Sequence, residues 1–289
     1  MQQVAAALPA DCRANVIIVG SLAAGFHFFG DDGAATMSTK DVDCMISPNL
    51  MALRHGKAVA ESLLRAQWQP REDDKWGKPG DAATPDDQLP LVRLHPPGNT
   101  EWYLELLAAP PPGATQAKTH ERLIIERGHF TLCSFRFLSL TEVDPIKTEF
   151  GIAMARPEMM ALANLLHHSA IGPERIGNTD WKRSNKDLGR VLALAWLATA
   201  HEEDAVLAWS AQWQAALQKC FPTEWRQLGS SVGAGLRELL AQPPDLDQAT
   251  TICNLGLLAG RDISAQMLRA TSLRLLQDAI EPLETIART

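Results

Sequence analysis

NVIIVGSLAAGFHFFGDDGAATMSTKDVDCMIS, residues 15–47, holds the residue order that decides the fold. Val16 to Val19 are all β-branched aliphatics, the composition of a strand covered on both faces. The chain then meets Gly20-Ser21. Gly20 permits a tight turn with backbone close to a ligand, and Ser21 is placed to cap a helix over Leu22 to Phe29, whose free N–H groups form an anion site. A phosphate is the anion expected there. Asp41 and Asp43 follow, two residues apart in DVDCMI. In a strand both carboxylates project from one face, while Val42, Cys44 and Ile46 project from the other toward the core. Two carboxylates on one face repel each other unless a cation joins them, so the pair predicts a magnesium site.

Downstream, Leu50 to Trp68 sets Leu53, Val59, Leu63 and Leu64 at spacings that suit a helix covering a sheet. Residues 70–90, PREDDKWGKPGDAATPDDQLP, are rich in Pro, Gly and Asp and predict a mobile surface excursion. Its Asp73, Asp74, Asp86 and Asp87 read as solvated charges. Leu91 to His95 and Trp102 to Leu107 then form a predicted hairpin across HPPGNT. In WYLELL, Glu105 shares a face with Tyr103 and Leu107. A glutamate in so apolar a strand needs a partner, either water at a sheet edge or a metal beside Asp41 and Asp43.

Phe130 to Leu140 alternates as a further strand, after the linker AAPPPGATQAKT (residues 108–119) leads into it through Glu121 to Arg127, and Ile146 to Ala155 offers another. From Pro157 the chain becomes helical. Pro157 to Ser169, Lys186 to Ala200, Glu203 to Cys220, Val232 to Ala241 and Ile263 to Ile286 repeat apolar residues at helical spacing, with breakers at Gly172-Pro173, Pro222 and Pro243-Pro244. Trp196, Trp209 and Trp213 read as core aromatics, and His27 as a core histidine. His167-His168 has no acidic or cysteine companion at ligand spacing along its helix, so a surface or half-buried pair is expected.

The fold class expected is therefore α/β: a mixed sheet with flanking helices over residues 1–155, then a helical lobe over 156–289. At 289 residues, 46% hydrophobic and 21% charged, the composition is that of an ordinary globular protein, and no apolar run approaches the roughly 20 residues of a membrane span. The start MQQVAAALPADCR lacks the basic and apolar regions of a signal peptide, and the five cysteines show no paired spacing, so a reducing cytoplasm is the expected home. A net charge of −7 argues against broad nonspecific nucleic-acid binding and leaves room only for local recognition. A dinucleotide-binding turn is the competing reading of the same stretch, because Gly20 and Gly25 follow a strand and Asp41 lies about twenty residues on. It fails on two counts: Leu22 replaces the middle glycine, and Asp41 begins a strand instead of ending one.

Gly20-Ser21 opening a helix, followed by Thr39-Lys40-Asp41-Val42-Asp43, resembles the nucleotidyltransferase (polymerase-beta-like) superfamily, in particular its AbiEii-like branch, which includes nucleotidyltransferase toxins. The motifs cover residues 14–108 and, more weakly, extend to about residue 200. The resemblance implies transfer of a nucleoside monophosphate from an NTP such as ATP to a hydroxyl acceptor. The nucleotide would lie between the two lobes, and Asp41, Asp43 and Glu105 would hold two magnesium ions, with Glu101 the less favoured third acid. Gly20, Ser21, Lys40, Lys186 and Asp187 become the nucleotide-binding residues. ARPEMMALANLL and WKRSNKDLGRVLALAWL resemble the second half of the branch, in which Lys186-Asp187 match and Asn164 and Arg190 replace an expected lysine and aspartate. The acceptor implied is a tRNA 3′ end or a protein, and an antitoxin protein is a further implied partner. Two alternatives stay open: a noncatalytic nucleotide- or partner-binding protein of the same fold, and an antibiotic adenylyltransferase.

Overall fold

A computed structural model of the chain describes residues 1–34, 40–71, 78–171, 174–176 and 179–289, with the backbone alone for 31–34 and 169–171. Thr39, Asp73, Asp74 and the Gly172-Pro173 breaker, which entered the sequence reading, lie outside the described residues. The chain divides into two compact units, Met1–Ala23 with Thr39–Ala155 and Ala24–Ser38 with Arg156–Thr289.

The first unit begins with the short helix α1 (Gln2–Ala7), which buries Val4 and Ala5. Strand β1 (Val16–Val19) is buried along its whole length, as four successive β-branched residues require. Helix α2 (Gly20–Ala34) follows directly, with a break in its helical geometry at Gly30 (φ +67°). Because the helix starts at Gly20, Ser21 lies within the first turn and not at the cap position expected of it. Strand β2 (Asp41–Ile46) buries Val42, Cys44 and Ile46 on one face and leaves Asp41 and Asp43 half-buried on the other.

Helix α3 (Ala52–Arg65) buries Val59 and Leu63, while Leu53, expected on the same face, is 45% exposed. The strands that complete the sheet are β3 (Gln69–Pro70), β4 (Arg93–His95), β5 (Tyr103–Ala108), β6 (Lys118–Ile125), β7 (Gly128–Phe135), β8 (Ile146–Lys147) and β9 (Ala153–Met154). Their order is β3-β4-β5-β2-β1-β9-β8, with β7 joined to β5 and β6 joined to β7. The sheet is mixed: β2 runs parallel to β5 and antiparallel to β1, and β1 runs parallel to β9.

One expectation from the sequence is corrected by the sheet. Lys118 to Ile125, taken as linker and approach, is a full strand paired with β7 through eight residues. Its charged front half, KTHE, hides the alternation that only the cross-strand partners reveal. The predicted excursion is at the surface over most of its described part, residues 78–90, yet a bridge from Gly80 to His129 fastens it to the sheet, the adjoining Leu91 bridges to Thr131, and Leu89 is fully buried. Arg122 ties the segment down, donating to Asp86, to the Asp81 carbonyl and to the Thr84 carbonyl.

The second unit is helical: α4 (Pro157–Ile171), α5 (Arg183–His201), α6 (Trp209–Cys220), α7 (Trp225–Ser231), α8 (Ala234–Ala241), α9 (Pro243–Leu255), α10 (Ala265–Leu275) and α11 (Glu281–Arg288), the last two joined by a π turn over Leu276–Ile280. Pro243-Pro244 separates α8 from α9, as expected of a breaker, and also opens α9, where a missing N–H costs nothing because no acceptor precedes it. Trp209 and Trp213 are buried as expected, and the Trp213 indole N–H donates to the Glu158 carbonyl at 2.8 Å. His27 is exposed and not in the core, with its ring edge-on to Phe28.

Candidate functional site

Strand β2 places the aspartates. The antiparallel register sets Val19 of β1 opposite Asp43, so the chain leaves β1 and enters α2 one residue beyond that carboxylate. Gly20 takes φ +73°, in the left-handed region, and a Cβ built on it would lie 2.8 Å from Asp43 Oδ2. Only glycine satisfies both demands, the backbone angle and the approach of the carboxylate. The start of α2 and the second aspartate are thus in contact.

On its other side β2 pairs with β5, setting Asp41 level with Tyr103 and Asp43 level with Glu105. Strand β4 adds Arg93 level with Glu105. Asp43, Glu105 and Arg93 form a row across three strands on one face, with Asp41 and Tyr103 in the next row. Neither reading of Glu105 from sequence included this arginine. Strand β5 lies inside the sheet and not at its edge, and Glu105 is only 9% exposed. Its partner is Arg93, whose Nε donates to Glu105 Oε2 at 2.5 Å. Burial pushes the Glu105 carboxyl above the ordinary glutamate range; Arg93 opposes that push, Asp41 adds to it and Lys118 opposes it. The Tyr103 ring is faced by Arg71 at 4.4 Å and Arg93 at 5.6 Å. Burial raises the pKa of its hydroxyl, Asp41 and Glu105 adding to this and the two arginines opposing it.

Among the described residues, no group of three or more His, Cys, Asp or Glu side chains is arranged to hold a metal ion. Asp41, Asp43 and Glu105 share a face, yet the third acid is engaged by a guanidinium. Asp41 and Asp43 offer hard oxygen ligands of the kind magnesium takes, and the bare Gly20 beside Asp43 keeps the space a side chain would fill. That donor pair fits a divalent cation. Lys40 is exposed at the entry to β2, and Glu101 is exposed in the hairpin turn.

No protein-family model, curated protein or solved structure matches this chain. The site must therefore be read from its own residues.

In the second unit, Lys186 and Asp187 lie in the first turns of α5. Asp187 is buried, and its Oδ2 lies 3.0 Å from Nδ1 of His167 on α4. The acidic companion that His167 lacks along its own helix comes from the neighbouring one. Asn164, one turn before, donates to the Met160 carbonyl of its own helix at 2.8 Å. His168 points elsewhere and packs on α8, where a Cβ at Gly235 would come within 2.0 Å of its Nε2.

Sequence reasoning missed Arg93, Arg71 and the His167–Asp187 pair. A signal for Arg93 was present: a hairpin closing symmetrically about Asn99 sets it opposite Glu105. Nothing in local spacing announces the other two, since each depends on which elements pack together.

Proposed function

We propose that this protein is a magnesium-dependent nucleotidyltransferase, moving a nucleoside monophosphate from an NTP to a hydroxyl acceptor. The observation that carries the reading is the contact between Gly20 and Asp43, which brings the N-terminal end of α2 beside a carboxylate that shares its strand face with another. Helix N–H groups attract phosphate, whereas paired carboxylates repel it. The two features are compatible when a cation lies between them.

In this reading Asp41 and Asp43 hold the magnesium, which when bound would neutralise phosphate charge and activate the acceptor oxygen. Gly20 lets the backbone approach the phosphates closely, and the Ser21 hydroxyl with the first N–H groups of α2 binds their oxygens. Lys40, exposed next to Asp41, adds a cation for the same anion. For Lys186 and Asp187, a nucleotide-binding role rests on the AbiEii-like resemblance alone. The same resemblance favours a tRNA 3′ end or a protein as acceptor and an antitoxin protein as partner, in the manner of a toxin–antitoxin or phage-defence system.

A second reading, nucleotide or partner binding without catalysis, draws on Asn164, which bonds its own helix where the resemblance expects a lysine. Incubation with α-labelled ATP, CTP, GTP and UTP, magnesium, total RNA and lysate protein separates the two. Label transferred by the parent protein and absent from Asp41→Ala/Asp43→Ala supports the transferase and names base and acceptor class. A folded parent that labels nothing, with aminoglycosides also tried as acceptors, overturns it.

A further inference from the structure

Strand β6 is an edge of the sheet: among the described residues it pairs with β7 alone. The β7 residues show which of its backbone groups are free. His129, level with Ile124, exchanges its N–H and its carbonyl with Gly80, and the N–H of Thr131, level with Arg122, donates to the Pro90 carbonyl. Those groups point away from β6. In an antiparallel ladder the two residues of such a pair both turn their N–H and C=O groups outward, so Arg122 and Ile124 present theirs on the open side of β6. An open edge accepts a further strand unless charge guards it. Lys118, His120, Glu121 and Arg122 guard the first half. The end of the strand, Leu123-Ile124-Ile125, carries no charge, and Ile124 is 53% exposed.

The register decides what fits there. Two antiparallel copies of one strand meet about a twofold axis that passes between one residue and its own counterpart. An axis at Glu121 sets two glutamates together, one at Arg122 sets two arginines together, and one at Leu123 sets Arg122 and Glu121 against isoleucines. An axis at Ile124 sets Ile124 on itself, Leu123 on Ile125, Arg122 opposite Glu126 and Glu121 opposite Arg127, so apolar residues meet and opposite charges meet. Glu126 and Arg127 are exposed in the turn after β6, and they add to the partners that Arg122 and Glu121 have in their own chain, Asp86 and Asn49. Level residues share a face, so α3, which covers Leu123 and Leu132 at Gly56, lies on the same side of the joined sheet in both copies. Leu50, 89% exposed, and Leu53 lie at the start of that helix, beside the Asn49 that donates to Glu121.

We propose that this chain pairs with a second copy of itself through the open edge of β6, antiparallel about Ile124, with Leu50 and Leu53 packing across the axis. Stable interfaces engage roughly 20–30 residues a side, more than a strand edge offers, so this dimer dissociates on dilution.

Sedimentation equilibrium of the full chain over a range of concentrations is expected to show monomer and dimer in exchange. Ile124→Lys sets two ammonium groups together at the axis and should weaken the dimer at least tenfold, with an unchanged melting temperature because no β6–β7 bond is touched. Leu53→Lys should weaken it at least threefold, and Leu255→Lys, at an exposed apolar residue of α9, should leave it as it is. The register has its own readout. Cα atoms of a hydrogen-bonded antiparallel pair lie about 5.5 Å apart, a separation that a disulfide spans. Ile124→Cys should therefore cross-link under mild oxidation, whereas Glu126→Cys, which faces Arg122, should not. A parent that stays monomeric to its solubility limit overturns the inference and leaves the edge to a strand of another protein. A dimer that survives Ile124→Lys, that Leu255→Lys weakens as much, or that gives no Ile124→Cys cross-link overturns it as well.

Discussion

At Gly20 two constraints meet on one residue, a left-handed backbone and a carboxylate at a distance no Cβ tolerates. Gly20→Ala should destabilise the protein by about 1–2 kcal/mol through the backbone alone, lowering the melting temperature in a thermal scan. It should also displace Asp43 and reduce label transfer at least tenfold. Asp43→Asn, which leaves the backbone unstrained, should lose transfer with little change in melting; equal melting losses in the two variants would sink this account. Gly235 makes a comparable case by packing alone. An alanine there would meet the His168 ring at 2.0 Å, and overpacking of this kind costs about 1–3 kcal/mol. Chemical denaturation should show that loss in Gly235→Ala and show it relieved when His168→Ala is added. Asp41, Asp43 and Gly20 were legible in the sequence because strand alternation and turn chemistry are local. Arg93 and the His167–Asp187 pair were not, because sequence proximity does not reveal which side chains face one another across elements.

Among the helices, α11 is fastened to α8 chiefly through the buried carboxylate of Glu284, with Glu281 3.8 Å from the same arginine, Arg237. Glu284 accepts from both terminal nitrogens of Arg237 at 2.8 Å, from the Gly233 N–H at 3.0 Å and from Arg288 at 3.2 Å. Burial by itself would raise the pKa of Glu284, and these donors outweigh it, leaving the carboxyl below the ordinary glutamate value of 4.5. Its stabilising contribution is therefore complete above that value and is lost as the pH falls through the folded pKa. Glu284→Gln should cost about 2 kcal/mol at pH 7, less than a fully buried pair would give, because Arg237 is 42% exposed. Urea titrations of parent and variant should show the gap narrowing as the pH falls from 7 to 3; a gap of the same size at both pH values would refute the charge-based explanation. The helical lobe as a class was readable from its apolar spacing, the strand β1 from its run of β-branched residues and the β4–β5 hairpin from its alternation. Strand β6 was not, since Lys118, His120, Glu121 and Arg122 dilute its apolar pattern and pairing with β7 supplies what propensity lacks. Helix α9 was hidden by Pro243-Pro244, which mark a helix start as readily as an interruption.

For the whole molecule, the division of contacts assigns Ala24–Ser38 to the same unit as Arg156–Thr289, with the Arg261 guanidinium 4.4 Å over the Phe29 ring. Residues 156–289 made alone lack that segment and should melt below the intact chain, by roughly 5 °C for a loss of about 1–2 kcal/mol. Restoring the contact in trans, by adding a peptide of residues 20–38, should recover part of the difference, and a fragment as stable as the whole chain would contradict the assignment. The boundary near residue 155 was legible from the change to helical composition, whereas the early segment was not, because no composition shift marks where one helix passes from one unit to the other. The same arrangement has a consequence on the ribosome. Phe26, Phe28 and Phe29 emerge early, but the residues of their unit are made only from Arg156 onward. At ordinary rates of elongation the stretch from Arg156 onward takes on the order of ten seconds to make. For that interval an aromatic segment of the nascent chain lies without its cover, in the state that chaperones recognise.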